Sequence, residues 1–276
     1  MLDLDTIINA ALAEDVGHGD LTTAAVVPPD ALCRARLVAK EAGVVSGMGV
    51  FLRVFELLGS DFQWNSIRDG QHFQSGDTLA EGSGRTATLL TGERVALNFL
   101  QQLSGVATLT AAFLEAIEGT GCRICDTRKT TPLLRMLEKQ AVRHGGGHNH
   151  RFGLFDAIMI KENHIVAAGG VAEAVDLARA AASHMTKVEV EVETLEEFEE
   201  ALKAGPDCIL LDNMSLEEMR EAVSRLGSNR VVLEASGNMT LERVRLVAET
   251  GVHVISVGAV THSAPAIDLS MLIEQA

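Results

Sequence analysis

Between Asp126 and His164 the chain gathers seven Lys/Arg residues against four acids, a local charge of +3 in a molecule whose formal net charge is −15. The remainder therefore carries −18. A strongly acidic chain that concentrates cations in one window is suited to a small, highly charged anion. Arg128 and Lys129 follow the apolar run CRIC, and Lys161 follows FDAIM, so all three project from the ends of successive apolar segments. Arginine offers a planar fork that matches a carboxylate, whereas lysine is a compact point charge suited to phosphate. Both types are present.

Between these runs lies GGGHNHR, residues 145–151. His144, His148, His150 and His164 could in principle bind a metal. However, no carboxylate–histidine spacing of a zinc helix appears and no cysteine is close in sequence, so the glycines are read as a tight turn that brings His150 and Arg151 to the anion site. Further on, Glu191 lies in KVEVEVE and Asp212 closes CILLDN. Acids at such positions can hold Mg²⁺ or accept hydrogen bonds from sugar hydroxyls. Glu189 and Glu193 share the alternation and are read as solvated or salt-bridged. Ser236-Gly237 and Gly258-Ala259 close two more apolar runs, where backbone N–H groups could take phosphate.

These residues need a frame. From about residue 120, short apolar or β-branched runs recur about every 20 to 30 residues, separated by segments with apolar residues at three-and-four spacing. Thr194, Ser215 and Thr240 are set to start helices, and Gly205, Gly227 and Gly251 to stop them. Strands alternating with helices through short connections form a parallel sheet whose sites lie at the carboxyl ends of the strands. About six strands are visible, which fits an incomplete barrel or an open doubly wound sheet. The first hundred residues mix an opening helix, a GHGDLTT loop and short strands, an α+β pattern. Residues 88–117 read as one long helical stretch with a candidate break at Ser104-Gly105.

Composition excludes several classes. The acidic balance disfavours nucleic acid and anionic membrane surfaces, no apolar run approaches the length of a membrane span, and the acidic start is unlike a signal peptide. Four scattered cysteines suggest reduced thiols in a cytoplasm. Cys122 and Cys125 have C-x-x-C spacing, but on a strand they point to opposite faces and are read as structural.

Taken in order, ERVALNFLQQLSGVAT, DTRKTTPLLRMLEKQAV, GGGHNHRFGLFDAIMIKENH, VEVEVETLEE, ILLDNM, LEASGNMT and ISVGAVTHS closely resemble the quinolinate phosphoribosyltransferases of NAD biosynthesis. The resemblance implies an N-terminal α/β sandwich over residues 1–105, with the tail 265–276 packed against it, and an incomplete α/β barrel over residues 106–264. It implies a pentosyltransferase that joins quinolinate to 5-phosphoribosyl 1-pyrophosphate with loss of CO₂, and a homodimer with shared active sites. By the same resemblance Arg94, Arg128, His150, Arg151 and Lys161 would meet quinolinate, with Arg94 supplied by the second subunit. Lys129, Glu191, Asp212, Ser236, Gly237, Gly258 and His262 would meet the phosphoribosyl donor. Glu191 and Asp212 would hold Mg²⁺, through water or directly, and Lys129, Lys161, Glu191 and Asp212 would carry the chemistry. Leu133 and Gln140 depart from the family pattern, which has glycine and tyrosine there. Rival readings are a related enzyme acting on nicotinate or another acceptor, a non-catalytic phosphosugar-binding protein, and a metal-dependent barrel hydrolase with histidine ligands.

Overall fold

The computed structural model describes residues 3–59 and 61–275; residues 1, 2, 60 and 276, which belong to the expected sandwich and tail ranges, lie outside them. In chain order the elements begin with α1 (Leu4–Val16), α2 (Leu21–Val26), β1 (Leu32–Ala39), β2 (Gly43–Val44) and α3 (Met48–Leu58). They continue with β3 (Gln63–Ser66), β4 (His72–Phe73), β5 (Thr78–Arg85), α4 (Thr86–Ala116), β6 (Arg123–Cys125) and α5 (Arg135–His144). Next come β7 (Ile158–Ile160), α6 (Glu162–Ala168), α7 (Val171–Ala181), β8 (Val188–Val192), α8 (Leu195–Ala204) and β9 (Cys208–Asp212). The last are α9 (Leu216–Leu226), β10 (Val232–Ser236), α10 (Leu241–Ala248), β11 (Val254–Ser256), α11 (Ala259–His262) and β12 (Leu269–Gln275).

Two compact units emerge. The first comprises residues 1–111, 131–146 and 263–276, and the second residues 112–130 and 147–262. In the first, an antiparallel sheet runs β12-β1-β5-β3, with Cys33 opposite Gln275 and Ala39 opposite Leu269. Phe51 and Phe55 of α3 meet Trp64 of β3 with ring centroids 5.1 and 5.3 Å apart, an aromatic cluster that anchors the helix. The DLTT stretch is not loop: Asp20 Oδ1 accepts the N–H of Thr23 at 2.9 Å and starts α2. Nor does α4 break at Ser104-Gly105. Gly105 is needed for close approach instead, since a Cβ there would lie 2.0 Å from the Pro265 carbonyl oxygen.

In the second unit six parallel strands run in the order β6-β11-β10-β9-β8-β7. Consecutive strands are neighbours except β6 and β7, which occupy opposite edges. The apolar runs build the interior: Val190, Ile209, Leu211, Ala235 and Ile255 are fully buried. Thr194, Ser215 and Thr240 cap α8, α9 and α10 through bonds from the N–H groups of Glu197, Glu218 and Arg243. Gly205 and Gly227 close α8 and α9. Gly251 is displaced from the expected role, because Glu249 caps α10 and the glycine turns the chain two residues later.

Candidate active site

All six strands of the second unit deliver side chains from their carboxyl ends to one cavity of about 340 Å³. That convergence shows the sheet to be curled into an incomplete barrel. Four cations, Arg128, Lys129, Arg151 and Lys161, share the cavity with three acids, Glu191, Asp212 and Glu234. Met159 and Leu210 add an apolar surface, and Thr127, Ser236 and Ser256 add hydroxyls.

The cations come from three segments, Arg128 and Lys129 from the loop after β6, Arg151 from the turn before β7 and Lys161 from the end of β7. The loop after β6 is fixed by its own polar groups: Lys129 N–H donates to Thr127 Oγ1 at 3.0 Å, and Thr261 Oγ1–H donates to the Lys129 carbonyl at 2.7 Å. GGGHNHR is the expected turn. Its His148 hooks onto β6 through a parallel bridge to Cys125, with His148 N–H bonding the Ile124 carbonyl at 2.8 Å. Asp126, buried at the end of β6, then accepts the His150 N–H at 2.8 Å. Beyond it Asp156 receives the N–H groups of Phe152 and Gly153, at 2.6 and 2.8 Å, and Arg151 Nη1 donates to the Ala157 carbonyl at 3.1 Å. Arginine 151 is thus held at both ends of its turn.

Electrostatics follow from the crowding. Burial first, and then the neighbouring Arg128, disfavour the charge on Arg151, with Glu189 and Asp156 opposing them. Its Nε is buried without a hydrogen-bond partner. Two guanidinium groups that repel one another are stabilised by an anion set between them. Lys161, at the end of β7, is ion-paired with Glu191 at the end of β8. Asp212 accepts the side-chain amide of Asn213 at 2.8 Å and sits opposite Ser236 on β10. Gly237 has φ +94°, and a Cβ there would lie 2.1 Å from Asn213 Oδ1, so the position requires glycine. At Gly258 a Cβ would meet the Lys129 stem and the His262 ring at 3.1 and 3.2 Å; those three groups therefore border one another, although neither Gly258 nor His262 lines the cavity itself. Arg94 is exposed on α4 and is not among the lining side chains.

The histidines do not assemble. His144 Nδ1 bonds Ser46 Oγ at 2.9 Å, and His164 Nδ1 accepts the Lys161 N–H at 3.0 Å, capping α6. Among the described residues the one group with metal-ligand types in reach is His150, Glu189 and Glu234, with ligand atoms within 4.8 Å of one another. Here His150 Nε2 stands 2.9 Å from Glu189 and 3.5 Å from Glu234, a hydrogen-bonded cluster at the floor of the cavity. Reading the sequence misses Glu234 altogether. Burial, and then the Glu189 carboxylate, push Glu234 from 4.5 up to about 7, against the pull of His150 and a bond from Ser256. Glu189 is salt-bridged but buried rather than solvated, at 7% exposure. Glu193 is exposed.

Comparison with known proteins agrees with this frame. Models of the quinolinate phosphoribosyl transferase N-terminal and C-terminal domains match residues 20–104 and 106–272. A probable nicotinate-nucleotide pyrophosphorylase (carboxylating) of Bacillus subtilis is 46% identical, covering 98% of this chain and 93% of its own. The Mycobacterium leprae nicotinate-nucleotide pyrophosphorylase (carboxylating) is 42% identical over 96% of this chain and 95% of its own. The crystal structure of NadC from Streptococcus pyogenes superposes with a TM-score of 0.95 at 45% identity, covering 99% and 97% of the two chains. With matches to both domains and similarity running through nearly the whole length, the chain belongs to the quinolinate phosphoribosyl transferase family.

Proposed function

We propose that this chain transfers the phosphoribosyl group of 5-phosphoribosyl 1-pyrophosphate to quinolinate, releasing pyrophosphate and CO₂ and forming nicotinate mononucleotide. The observation that carries the reading is the pairing of Arg128 and Arg151 in a cavity that also holds Lys129 and Lys161. Quinolinate presents two adjacent carboxylates on a flat pyridine. Two forked guanidinium groups match them, and Met159 and Leu210 suit the ring. Lys161 adds a third cation for the acid, Lys129 stands where the acid meets the more highly charged second substrate, and the glycine turn at Ser236-Gly237 suits the 5′-phosphate of that substrate.

In this arrangement Arg128 and Arg151 orient the ring nitrogen toward the ribose C1. As the C1–O bond to pyrophosphate breaks, Lys129 neutralises charge gathering on the leaving oxygens. The nitrogen closes on C1 and becomes cationic, which stabilises the electron pair left on C2 when the adjacent carboxylate departs as CO₂. Lys161 is our candidate for returning a proton to that carbon. The oxygen donors Glu191 and Asp212, on neighbouring strands and open to the cavity, fit Mg²⁺, which would supply charge neutralisation for the pyrophosphate. The working unit in this reading is a cytoplasmic homodimer in which Arg94 serves the site of the second copy. Exposed Leu21, Val26 and Phe155 support such an association, and four free cysteines support a reducing compartment.

The test supplies purified protein with Mg²⁺, phosphoribosyl pyrophosphate and quinolinate labelled in the 2-carboxylate, and follows released CO₂ beside nicotinate mononucleotide. Equimolar appearance of both is expected, with nicotinate a poor substitute. Failure to release CO₂, or equal use of nicotinate, would overturn the assignment.

A further inference from the structure

Both ring nitrogens of His150 are engaged inside the protein. Nδ1 lies 2.8 Å from the backbone nitrogen of Arg151, and a backbone N–H can only donate, so Nδ1 presents its lone pair. Nε2 lies 2.9 Å from Glu189 Oε2 and 3.5 Å from Glu234 Oε1, so the ring proton is on Nε2 and points down into the acids. Glu189 in turn is anchored, because its Oε1 accepts the Cys208 thiol at 3.3 Å. The two acids are 7% and 4% exposed. From floor to wall the order is thus Cys208 thiol, Glu189 carboxylate, His150 ring, Arg151 peptide.

We infer that Glu189 is a positioning residue: through the His150 ring it fixes the peptide of Arg151 and so the direction of that guanidinium, while His150 offers the bound acid an apolar ring face and no hydrogen-bonding nitrogen. The physical basis is that the carboxylate selects one tautomer. With the proton held on Nε2, Nδ1 is available as the acceptor that the Arg151 N–H requires; with the proton on Nδ1, two donors would face each other at 2.8 Å. His150 is therefore part of the turn rather than one of the cations that grip the acceptor. This rests on the acceptor being the dicarboxylate proposed above.

Two measurements on the full chain test it. The first labels histidine with ¹⁵N and reads tautomers from long-range proton–nitrogen correlations, with the His150 signal assigned from its loss in His150→Gln. An Nε2–H ring with unprotonated Nδ1 is expected in the unmodified protein. An Nδ1–H ring or a doubly protonated ring overturns the inference, and this readout is independent of any substrate. The second measures equilibrium binding of quinolinate and of phosphoribosyl pyrophosphate separately. Glu189→Leu, which leaves the buried N–H unanswered, should weaken quinolinate about 5- to 150-fold and phosphoribosyl pyrophosphate far less. Glu189→Gln keeps a carbonyl acceptor and should recover most of the loss. Unchanged quinolinate affinity in Glu189→Leu, or equal loss of both ligands in both variants, would refute the positioning role. An unmodified protein that shows the expected tautomer yet binds no quinolinate refutes the substrate assignment instead.

Discussion

Replacing Glu234 by glutamine isolates the cost of a buried acid. In the folded chain this carboxyl is 4% exposed, faces Glu189, His150 and Asp126, and is pushed from 4.5 to about 7. Between those two values the unfolded chain has released its proton while the folded chain keeps it, so folding binds a proton and stability declines as pH rises. The stabilisation relative to the ionised state is complete below about 4.5 and is lost as pH climbs through 7. At about 1.36 kcal/mol per pH unit, the full swing is on the order of 3 kcal/mol, of which about 2 to 3 falls between pH 5 and pH 8. Glutamine has nearly the shape of the protonated acid and cannot ionise. Its own packing and hydrogen-bond changes enter as an offset that does not vary with pH, and titrating groups remote from the cluster cancel in the difference, leaving Glu234 and its coupling to Glu189 and His150. Urea denaturation of both proteins at pH 5, 6, 7 and 8 should therefore give a stability difference that moves in favour of Glu234→Gln by about 2 to 3 kcal/mol over the series. A difference that stays flat, or moves the other way, would mean that Glu234 titrates like an exposed carboxylate and that the acid cluster at the floor of the cavity is wrongly drawn.

Three further outcomes are expected. Leu133 has φ +69° and is 72% exposed; relief of the left-handed strain by Leu133→Gly, less the entropy that glycine adds to the unfolded chain, should stabilise by about 0.5 to 1 kcal/mol in thermal melts. Gly237→Ala, which sets a methyl against Asn213 and strains the backbone, should cost about 1 to 3 kcal/mol of stability and weaken phosphoribosyl pyrophosphate in a binding titration, with quinolinate little changed. Arg128→Ala should weaken quinolinate by about 2 to 5 kcal/mol, and a calorimetric dissociation constant that does not move would remove Arg128 from the acceptor site.

Arg128, Lys129 and Lys161 were legible because they lie within a few residues of the end of an apolar run, and in a parallel sheet the residues after a strand sit at the rim, while Arg151 was legible from the glycine turn before it. Glu191 and Asp212 were legible for the same reason as the first three. Glu189 and Glu234 were not, since alternation in KVEVEVE suggests a wet face. Yet in a parallel sheet covered on both faces the strands are apolar throughout, so an acid flanked by buried Val188 and Val190 was itself the anomaly that marked a buried polar partner. The glycine missing at position 133 gave a second signal. The backbone there is left-handed, a conformation that favours glycine and that only the coordinates reveal. His150 is placed against quinolinate by the glycine turn and the resemblance; its own ring partners come from β8 and β10, far away in sequence.

The break between β6 and β7 gives the curled sheet a slit, and the basic loops stand on its two lips, Arg128 on one and Lys161 on the other. An acid that grips both lips would clasp the slit shut from above, doing with ionic contacts what main-chain hydrogen bonds do elsewhere around the ring. Occupancy would then tighten the two edge strands most, and their amide protons, rather than those of central β9 and β10, would report its arrival.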